Sequence, residues 1–226
     1  MFHKNRTKRK LSPLLEIGFH GDVYLLGLVD TLIKDCDYFI ETGTNVGSTI
    51  AHVARSFKHI KCLSCEPDKS AFHAAVKNTS KYPNVTIYNK TSQQFIDLIK
   101  YKKRALFNKK ILFWLDAHGY GFKWPLREEV EFITSTFTGG FLLIDDFLVP
   151  GKENIFKFDT YQNQECSFQF IENYLKCNYS VFYPKYTGHT SKYHPLTGWC
   201  CIAFGNCKDI SIDYALEDII IKSIVN

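Results

Sequence analysis

A chain of 226 residues with 45% hydrophobic and 15% aromatic residues can bury a sizeable core, which excludes a disordered protein and suits one α/β domain. Its formal net charge of +5 owes much to the first ten residues, so the remaining body is close to neutral. The longest apolar runs, such as 141–144, fall far short of the ~20 residues that a membrane-spanning helix requires.

The amino terminus is basic. Five Lys or Arg residues and no acid lie in the first ten positions, and no apolar segment of a secretory signal follows. We expect a basic flexible tail over 1–12 and a single cytoplasmic domain over 13–226. Such a tail is more often a solvated terminus than a nucleic-acid arm, so a nucleic-acid partner is disfavoured. A homodimer is compatible with the sequence.

The cysteines predict free thiols. Several of the eight fall where strands are expected and suit small buried hydrophobic positions: Cys36, Cys62, Cys65, Cys200 and Cys201. Cys62 and Cys65 form a C-x-x-C pair, but no second pair lies at metal-site spacing. A zinc or redox site is therefore disfavoured.

Helix-like and strand-like runs alternate along the first two thirds of the chain. Apolar positions at Val23, Leu26 and Val29 predict a helix over 22–35, with Asp22 as its N-cap. Strands are then predicted at 38–41, 61–66, 85–89, 111–116 and 141–145, and helices at 48–57, 69–79, 92–101 and 125–136, the last with proline at its first helical position. This alternation predicts an α/β, Rossmann-like three-layer sandwich with a mostly parallel sheet.

Beyond Asp146 the alternation weakens. A helix is predicted over 167–177, followed by strands at 180–183 and 199–205 that are joined by a loop rich in Tyr, His, Gly and Thr. The economical interpretation is a closing antiparallel strand pair, which completes a seven-stranded sheet. Ligands of such sheets bind at the carboxyl ends of the strands.

The segment Glu41-Thr-Gly-Thr-Asn-Val-Gly47, between the first strand and its helix, predicts a cofactor turn. Gly43 and Gly47 allow a sharp turn and a close approach to a ligand, and free amides at the following helix can receive an anionic group. Asn45 stands where the dinucleotide fingerprint requires its middle glycine, which disfavours a pyrophosphate. The segment therefore predicts a nucleoside cofactor.

Two further strand ends are placed to contact the same nucleoside. Glu66 ends the second strand, where its carboxylate can accept hydrogen bonds from both ribose hydroxyls. Ser92 and Gln93 follow the third strand, where their hydroxyl and amide groups can contact an adenine edge. Ser92 can equally be no more than a helix N-cap, and the two roles are compatible.

Acidic residues end four of the five predicted parallel strands, including Asp116 and the pair Asp145-Asp146. A single strand-end acid can merely cap the next helix. Asp116, Asp145 and Asp146 together repel one another unless a cation or protons neutralise them. Carboxylate oxygens in this number suit Mg²⁺, which retains waters or binds substrate oxygens to complete its shell.

With these residues placed, the chain resembles the class I S-adenosylmethionine-dependent methyltransferases over roughly 22–205. The turn at Glu41, the acid at Glu66 and the Ser-Gln pair match the cofactor motifs of that family. The resemblance implies that Gly43 and Gly47 lie against the methionine part of the cofactor and that Glu66 holds its ribose. The cofactor-binding residues that it implies are Glu41, Gly43, Thr44, Asn45, Gly47, Thr49, Glu66, Ser92, Gln93 and Asp116.

Within that superfamily, Asp116 followed by Asp145-Asp146 resembles the metal site of the catechol and macrocin O-methyltransferase groups. The former has Asp-Asn at the paired position and the latter Asp-Asp. In those groups the metal binds hydroxyl oxygens of the acceptor, lowers their pKa and orients one oxygen towards the methyl sulfonium. The resemblance implies Mg²⁺-dependent methyl transfer to a hydroxyl, with Asp116 both a metal ligand and a catalytic residue.

The general base departs from that pattern. Catechol-type enzymes carry a lysine three residues beyond the first metal aspartate, where this chain has Gly119. His118 is the nearest substitute, because an imidazole can accept a proton near neutral pH, with Tyr120 and Lys123 in reserve. The alternative is that His118 only hydrogen-bonds backbone or helps to hold the metal.

The acceptor is indicated only broadly. Loops at 147–161 and 184–199 carry side chains that could stack on a ring or form a small core of their own: Tyr186, His189, Tyr193, His194 and Trp199. They favour a small polar hydroxylated substrate such as a sugar or glycoside. Asp116-Ala-His-Gly does not match the Asn/Asp-Pro-Pro-aromatic motif of nucleic-acid amino-methyltransferases.

Two other classes of function stay open. A nicotinamide-dependent Rossmann oxidoreductase would use the same sheet edge, although Asn45 disfavours it. A non-catalytic cofactor-binding module in a larger assembly would need the glycine turn but not the three aspartates.

Overall fold

The computed structural model describes residues 17–118, 123–188, 194–209 and 219–222. The α-helices of these segments are α1 (Val23–Leu32), α2 (Ser48–Ser56), α3 (Lys69–Thr79), α4 (Ser92–Lys102), α5 (Leu126–Thr136) and α6 (Phe168–Ile171). The strands are β1 (Tyr38–Thr42), β2 (Lys61–Cys65), β3 (Val85–Tyr88), β4 (Ile111–Leu115), β5 (Gly139–Ile144), β6 (Thr160–Tyr161), β7 (Gln164–Glu165), β8 (Tyr179–Pro184), β9 (Cys200–Gly205) and β10 (Ile220–Lys222). The predicted tail over 1–12 lies outside the described residues.

One sheet of eight strands organises the fold, in the order β3-β2-β1-β4-β5-β9-β8-β10. Strands β1 to β5 are parallel, β9 is antiparallel to both β5 and β8, and β10 is antiparallel to β8. The chain builds outwards from β1 to β3 and then crosses to the other side of β1 to begin β4. The strand order therefore reverses between β1 and β4, which is where open α/β sheets bind their ligands.

Helices cover both faces of this sheet. Right-handed crossovers place α2 and α3 on one face and α4 and α5 on the other, because the direction of strand addition changes after β3. In agreement, α2 packs against α3 and α4 packs against α5. Strands β4 and β5 are buried at every position, as expected for central strands covered on both faces. The predicted α/β sandwich with a closing antiparallel strand pair is confirmed.

The helix starts show how local sequence places these elements. Asp22 caps α1 by accepting hydrogen bonds from the backbone N–H groups of Tyr24 and Leu25 at 3.0 and 3.2 Å. At α4 the cap is Thr91, which forms a reciprocal capping box with Gln94, so the N-cap role considered for Ser92 is wrong. Proline 125 is the N-cap of α5 rather than its first helical residue.

Two predicted elements differ from the structure. The helix expected over 167–177 ends after one turn at Ile171 and continues only as a 3-10 turn, because tertiary hydrogen bonds replace the helical ones. Arg127 Nε donates to the Phe170 carbonyl at 2.9 Å, and the Lys176 N–H donates to Thr134 Oγ1 at 3.0 Å. The sheet has an eighth strand, β10, whose three residues were too few to show a pattern in the sequence.

The remaining structural expectations concern thiols and membranes. All eight cysteines are free, as predicted, and most are buried. Among the helices in the described segments, none has the length and apolar character needed to cross a bilayer.

Candidate active site

The glycine turn after β1 lies directly against the end of β4. Gly43 has a φ of +83°, and a Cβ atom there would lie 2.1 Å from the carbonyl oxygen of Asp116. Asn45 also has a positive φ, of 48°, a conformation that asparagine tolerates better than most residues. Glycine at 43 is thus required to bring the predicted cofactor turn next to the predicted metal ligand.

The carboxyl group of Glu41 is internal to this turn. Its side chain is only 1% exposed, and Ser64 Oγ donates a hydrogen bond to it at 2.7 Å. Ser64 also hydrogen-bonds the hydroxyl of Thr44. Burial raises the pKa of Glu41 to about 8, so the carboxyl is mostly protonated at neutral pH. Glu41 and Thr44 therefore brace the turn from behind.

Glu66 ties the turn to the end of β2. One carboxylate oxygen accepts the backbone N–H of Asn45 at 2.7 Å, and the other accepts the N–H of Asp68 at 2.9 Å. Two backbone donors orient the carboxylate, and each oxygen keeps a further lone pair for a ligand hydroxyl. Its position at the end of β2 is the one predicted for the ribose.

The other predicted cofactor residues differ in burial and in their hydrogen-bond partners. Ser92 is buried and donates its hydroxyl hydrogen bond to the Glu129 carboxyl, whereas Gln93 is exposed. Thr49 Oγ1 accepts the backbone N–H of Phe19 at 3.3 Å.

Glu129, the buried partner of Ser92, was not predicted as a site residue, because nothing in the pattern of its amphipathic helix distinguished it from an exposed acid. Burial raises its pKa to about 7.

The three aspartates meet as predicted, together with histidines. The described residues contain two groups of potential metal ligands: His20 with Asp116 and Asp145, and Asp116 with His118 and Asp146. Within each group, the ligand atoms lie within 4.8 Å of one another. Asp116 belongs to both groups. The carboxyl ends of β4 and β5 thus form one cluster of carboxylate and imidazole groups.

The electrostatics of this cluster are unfavourable without a ligand. Burial and the charges of Asp145 and Asp146 raise the pKa of Asp116 well above its usual range. Burial and repulsion by Asp145 likewise raise the pKa of Asp146 to about 8. Asp145 is 1% exposed, and its Oδ1 atom has no hydrogen-bond partner among the described residues. A buried carboxylate oxygen in that state is suited to receive a cation.

His118 lies beside the aspartates and is buried, with 6% of its surface exposed. Neither of its ring nitrogens has a hydrogen-bond partner of acceptable geometry within the described segments. Burial lowers the pKa of His118, against the opposing attraction of Asp145 and Asp159. The imidazole is therefore neutral at physiological pH, the state needed either to accept a proton or to bind a metal.

His20 was not predicted. Its Nε2 atom lies 2.5 Å from Asp145 Oδ2, across 125 positions of sequence. The Asp145 carboxylate raises the pKa of His20 to about 9 against the effect of burial. Burial works to raise the pKa of Asp145, but the attraction of His20 outweighs it and the pKa is lowered. The only sequence signal was a histidine enclosed by Gly18 and Gly21.

The predicted acceptor residues divide into two groups. Tyr186 donates its hydroxyl hydrogen bond to Asp22 and accepts the Trp199 indole N–H at 2.7 Å, and both side chains are buried. These two therefore form part of a core, one of the alternatives considered. His194 instead stacks on His20 beside the cluster of carboxylate and imidazole groups, with ring centroids 4.1 Å apart. The remaining acceptor-binding candidates, His189 and Tyr193, lie outside the described residues, as does the reserve base Tyr120.

Lys123, the second reserve base, is directed elsewhere. It is exposed, and its Nζ atom donates to Glu128 Oε1 at 2.8 Å. This ion pair leaves His118 as the stronger candidate base among the described residues.

Comparisons with known proteins identify the fold. No family model and no curated protein matches the chain. The O-methyltransferase TomG from Streptomyces achromogenes, involved in tomaymycin synthesis and solved with SAM, is 12% identical, with a TM-score of 0.59 over 81% of this chain and 79% of that one. An O-methyltransferase from Bacillus cereus solved with SAH is 15% identical, with a TM-score of 0.57 over 80% and 79%.

The same fold occurs in an enzyme of another name. Spermidine synthase from Thermotoga maritima is 12% identical, with a TM-score of 0.53 over 88% of this chain and 63% of that one. At these identities the matches establish the architecture: the chain has the Rossmann-like fold of S-adenosylmethionine-dependent methyltransferases, as the resemblance implied. The site must decide the reaction, because one fold supports several chemistries.

Proposed function

We propose that this protein is an S-adenosylmethionine-dependent O-methyltransferase whose acceptor is held by a divalent metal. The observation that carries the proposal is the double role of Asp116. Its carbonyl oxygen packs against Gly43 in the cofactor turn, while its side chain joins the cluster of Asp145, Asp146 and His118. A methyl donor bound by the turn and an acceptor bound by the cluster would therefore both adjoin Asp116.

The residues present fit a divalent cation. Asp116, Asp145 and Asp146 would hold it, since their mutual repulsion and the unpartnered Asp145 Oδ1 atom are both relieved by a positive charge. When bound, the ion would act as a Lewis acid on the acceptor hydroxyl and would orient it. Three carboxylates taken alone would select Mg²⁺, as the sequence predicts.

The residues also fit a nucleoside cofactor. Glu66 keeps unused lone pairs at the place predicted for the ribose, and Asn45 and Gly47 shape the turn around it. Ser92 and Gln93 would form the predicted adenine end, although the Ser92 hydroxyl is bonded to the Glu129 carboxyl. When bound, S-adenosylmethionine would supply the methyl group to be transferred.

His118 is the proposed general base. With S-adenosylmethionine supplying the methyl group, His118 would accept the acceptor's hydroxyl proton on a ring nitrogen as the methyl group is transferred. The neutral imidazole can accept that proton, and the carboxylates of Asp145 and Asp159 then stabilise the imidazolium. We further propose a small polar hydroxylated acceptor, such as a sugar or glycoside, because the site is lined by carboxylates and imidazoles.

Calorimetry with S-adenosylhomocysteine and with divalent metals tests this proposal directly. We expect the protein to bind both, and a screen of hydroxylated acceptors with labelled S-adenosylmethionine should identify products that form only with metal. Absence of S-adenosylhomocysteine binding at millimolar concentrations would refute the proposal. Thermal shifts that favour NAD over S-adenosylhomocysteine would instead support the oxidoreductase.

Two substitutions separate catalysis from binding. Asp146→Ala should abolish turnover while S-adenosylhomocysteine still binds, whereas a non-catalytic module would keep its function. His118→Ala should lower kcat at every pH with metal binding retained. If His118→Ala loses the metal instead, the histidine is a ligand rather than the base.

A further inference from the structure

A strained turn precedes α1 and presents His20 to the aspartates. Four consecutive residues have positive φ values: Gly18 at 61°, Phe19 at 44°, His20 at 55° and Gly21 at 75°. For the two non-glycine residues this conformation costs on the order of 1 kcal/mol or more each. Such strain persists only where the surrounding structure enforces it, and it is concentrated at functional sites.

Packing of Phe19 enforces the turn. This side chain is 0% exposed and makes edge-to-face contacts with Trp114 and Phe39, at centroid distances of 5.0 and 6.3 Å. The backbone N–H of Phe19 is held by Thr49, a residue of α2. A Cβ atom on Gly18 would lie 2.7 Å from His52 Cβ, so the chain passes close to α2 at this point. The turn is therefore anchored in the same elements that carry the cofactor turn.

The consequence is that the His20 imidazole enters the metal cluster. One ring nitrogen of His20, one carboxylate oxygen of Asp145 and one carboxylate oxygen of Asp116 lie within 4.8 Å of one another. Ligands at neighbouring positions of an octahedral ion with bonds of about 2.1 Å lie roughly 3 Å apart. The 2.5 Å between His20 and Asp145 is close to that separation, so small shifts let both reach one ion. The buried Asp145 Oδ1, which has no partner among the described residues, is an independent observation that points to a cation at this place.

We propose that His20 is a direct ligand of the metal centre and that the centre therefore prefers a transition metal such as Mn²⁺ or Fe²⁺ to Mg²⁺. Fe²⁺ readily takes imidazole nitrogen together with carboxylate oxygen, Mn²⁺ does so more weakly, and Mg²⁺ is bound through oxygen. This inference rests on the proposed metal centre and changes its selectivity. It also makes the segment before α1 part of the reaction centre.

Calorimetry on the metal-stripped full chain with MnCl₂ and with MgCl₂ tests the proposal. Wild type should bind Mn²⁺ more tightly than Mg²⁺. In His20→Ala, Mn²⁺ affinity should fall by more than the roughly 10- to 100-fold typical of losing an outer-shell partner, with little change for Mg²⁺. His59→Ala is the matched control, because His59 is exposed and lies just before β2, at the opposite edge of the sheet. It should leave both affinities unchanged.

The competing interpretation makes the opposite prediction. If His20 is a built-in cation that pairs with Asp145 in place of a metal, His20→Ala removes a competitor and metal affinity should stay the same or rise. Either result would overturn the proposal. Pulsed electron paramagnetic resonance of bound Mn²⁺ provides a second readout that does not need His20→Ala to fold. Nitrogen modulation should persist in His118→Ala, and its absence there would also count against His20.

The outcomes distinguish this inference from the proposed function. S-adenosylhomocysteine binding, measured in parallel, reports on the cofactor site and should be the same in wild type, His20→Ala and His59→Ala. Metal binding that is insensitive to His20→Ala overturns only the ligand assignment. No binding of Mn²⁺ or Mg²⁺ to wild type overturns both the ligand assignment and the proposed metal dependence.

Discussion

The two halves of the proposed site differ in how their buried acids are satisfied. On the cofactor side, Glu66 accepts two backbone N–H groups and Glu41 is protonated and bonded to Ser64. On the metal side, Asp145 Oδ1 and both ring nitrogens of His118 have no partner in the segments that the structure describes. The first half is completed by the protein itself, and the second needs a ligand.

This difference teaches where the protein sacrifices stability for function. The clustered carboxylates at the ends of β4 and β5 repel one another and so destabilise the folded state. Residues of functional sites commonly reduce stability in this way. The acids of the cofactor turn instead support the backbone around them. Substitutions should therefore have opposite effects on stability in the two halves, although both should reduce activity.

The largest effect is expected at the metal half. Asp116→Asn should lower turnover at least ~100-fold, comparable to removing a major electrostatic contributor in other enzymes. The same change removes a repelled carboxylate, so the metal-free protein should melt about 2 to 4 °C higher. Asp97→Asn, on the exposed face of α4, is the control and should change neither quantity. A lower melting temperature for Asp116→Asn would contradict the prediction that acids of the metal half reduce stability.

Gly43→Ala should break the contact between the halves. The added Cβ would lie 2.1 Å from the Asp116 carbonyl oxygen at a φ of +83°, so we expect a loss of about 3 to 4 kcal/mol in the free energy of unfolding. Gly151→Ala is a matched control, because Gly151 has a φ of +73° but open space around it. Its cost should be about 1 kcal/mol. Urea unfolding of the two variants measures the difference, and equal losses would show that the close approach is unimportant.

The buried Glu129 should make stability depend on pH. Burial raises its pKa in the folded protein from 4.5 to about 7, so the folded state binds more protons and stability falls as pH rises from about 4.5 to 7. The loss is complete above about pH 7 and amounts to on the order of 3 kcal/mol. Glu129→Gln should therefore be more stable than wild type at pH 8 but not at pH 4. Parallel curves of melting temperature against pH would contradict this role.

The smallest expected effect concerns Glu66. A glutamine at this position keeps one oxygen acceptor but replaces the other with an amide that cannot accept the Asn45 or Asp68 N–H. Glu66→Gln should cost about 1 kcal/mol of stability and weaken S-adenosylhomocysteine binding about 10-fold. Calorimetry and urea unfolding on one preparation give both numbers. Weaker cofactor binding together with higher stability would show that Glu66 destabilises the fold, as the acids of the metal half are expected to do.

Local patterns in the sequence were enough to predict the parallel half of the sheet. Strands β1 to β5 and helices α2 to α5 start and end within a few residues of the predicted bounds, because hydrophobic periodicity, caps and glycine turns act over short stretches. The helix over 167–177 was wrong because Arg127 and Thr134, distant in sequence, take over its hydrogen bonds. The three-residue strand β10 depends wholly on its partner β8.

The candidate site shows the same division. Asp116, Asp145 and Asp146 could be brought together from the sequence, because parallel strands end at one edge of a sheet whatever their details. His20 could not, since its contact with Asp145 spans 125 residues and requires the positive-φ turn that packing of Phe19 enforces. The sequence by itself thus determined the sheet, the glycine turn and the acidic edge, which follow from local periodicity. Only the tertiary structure decided which imidazoles reach those acids, because that depends on how a distant segment packs.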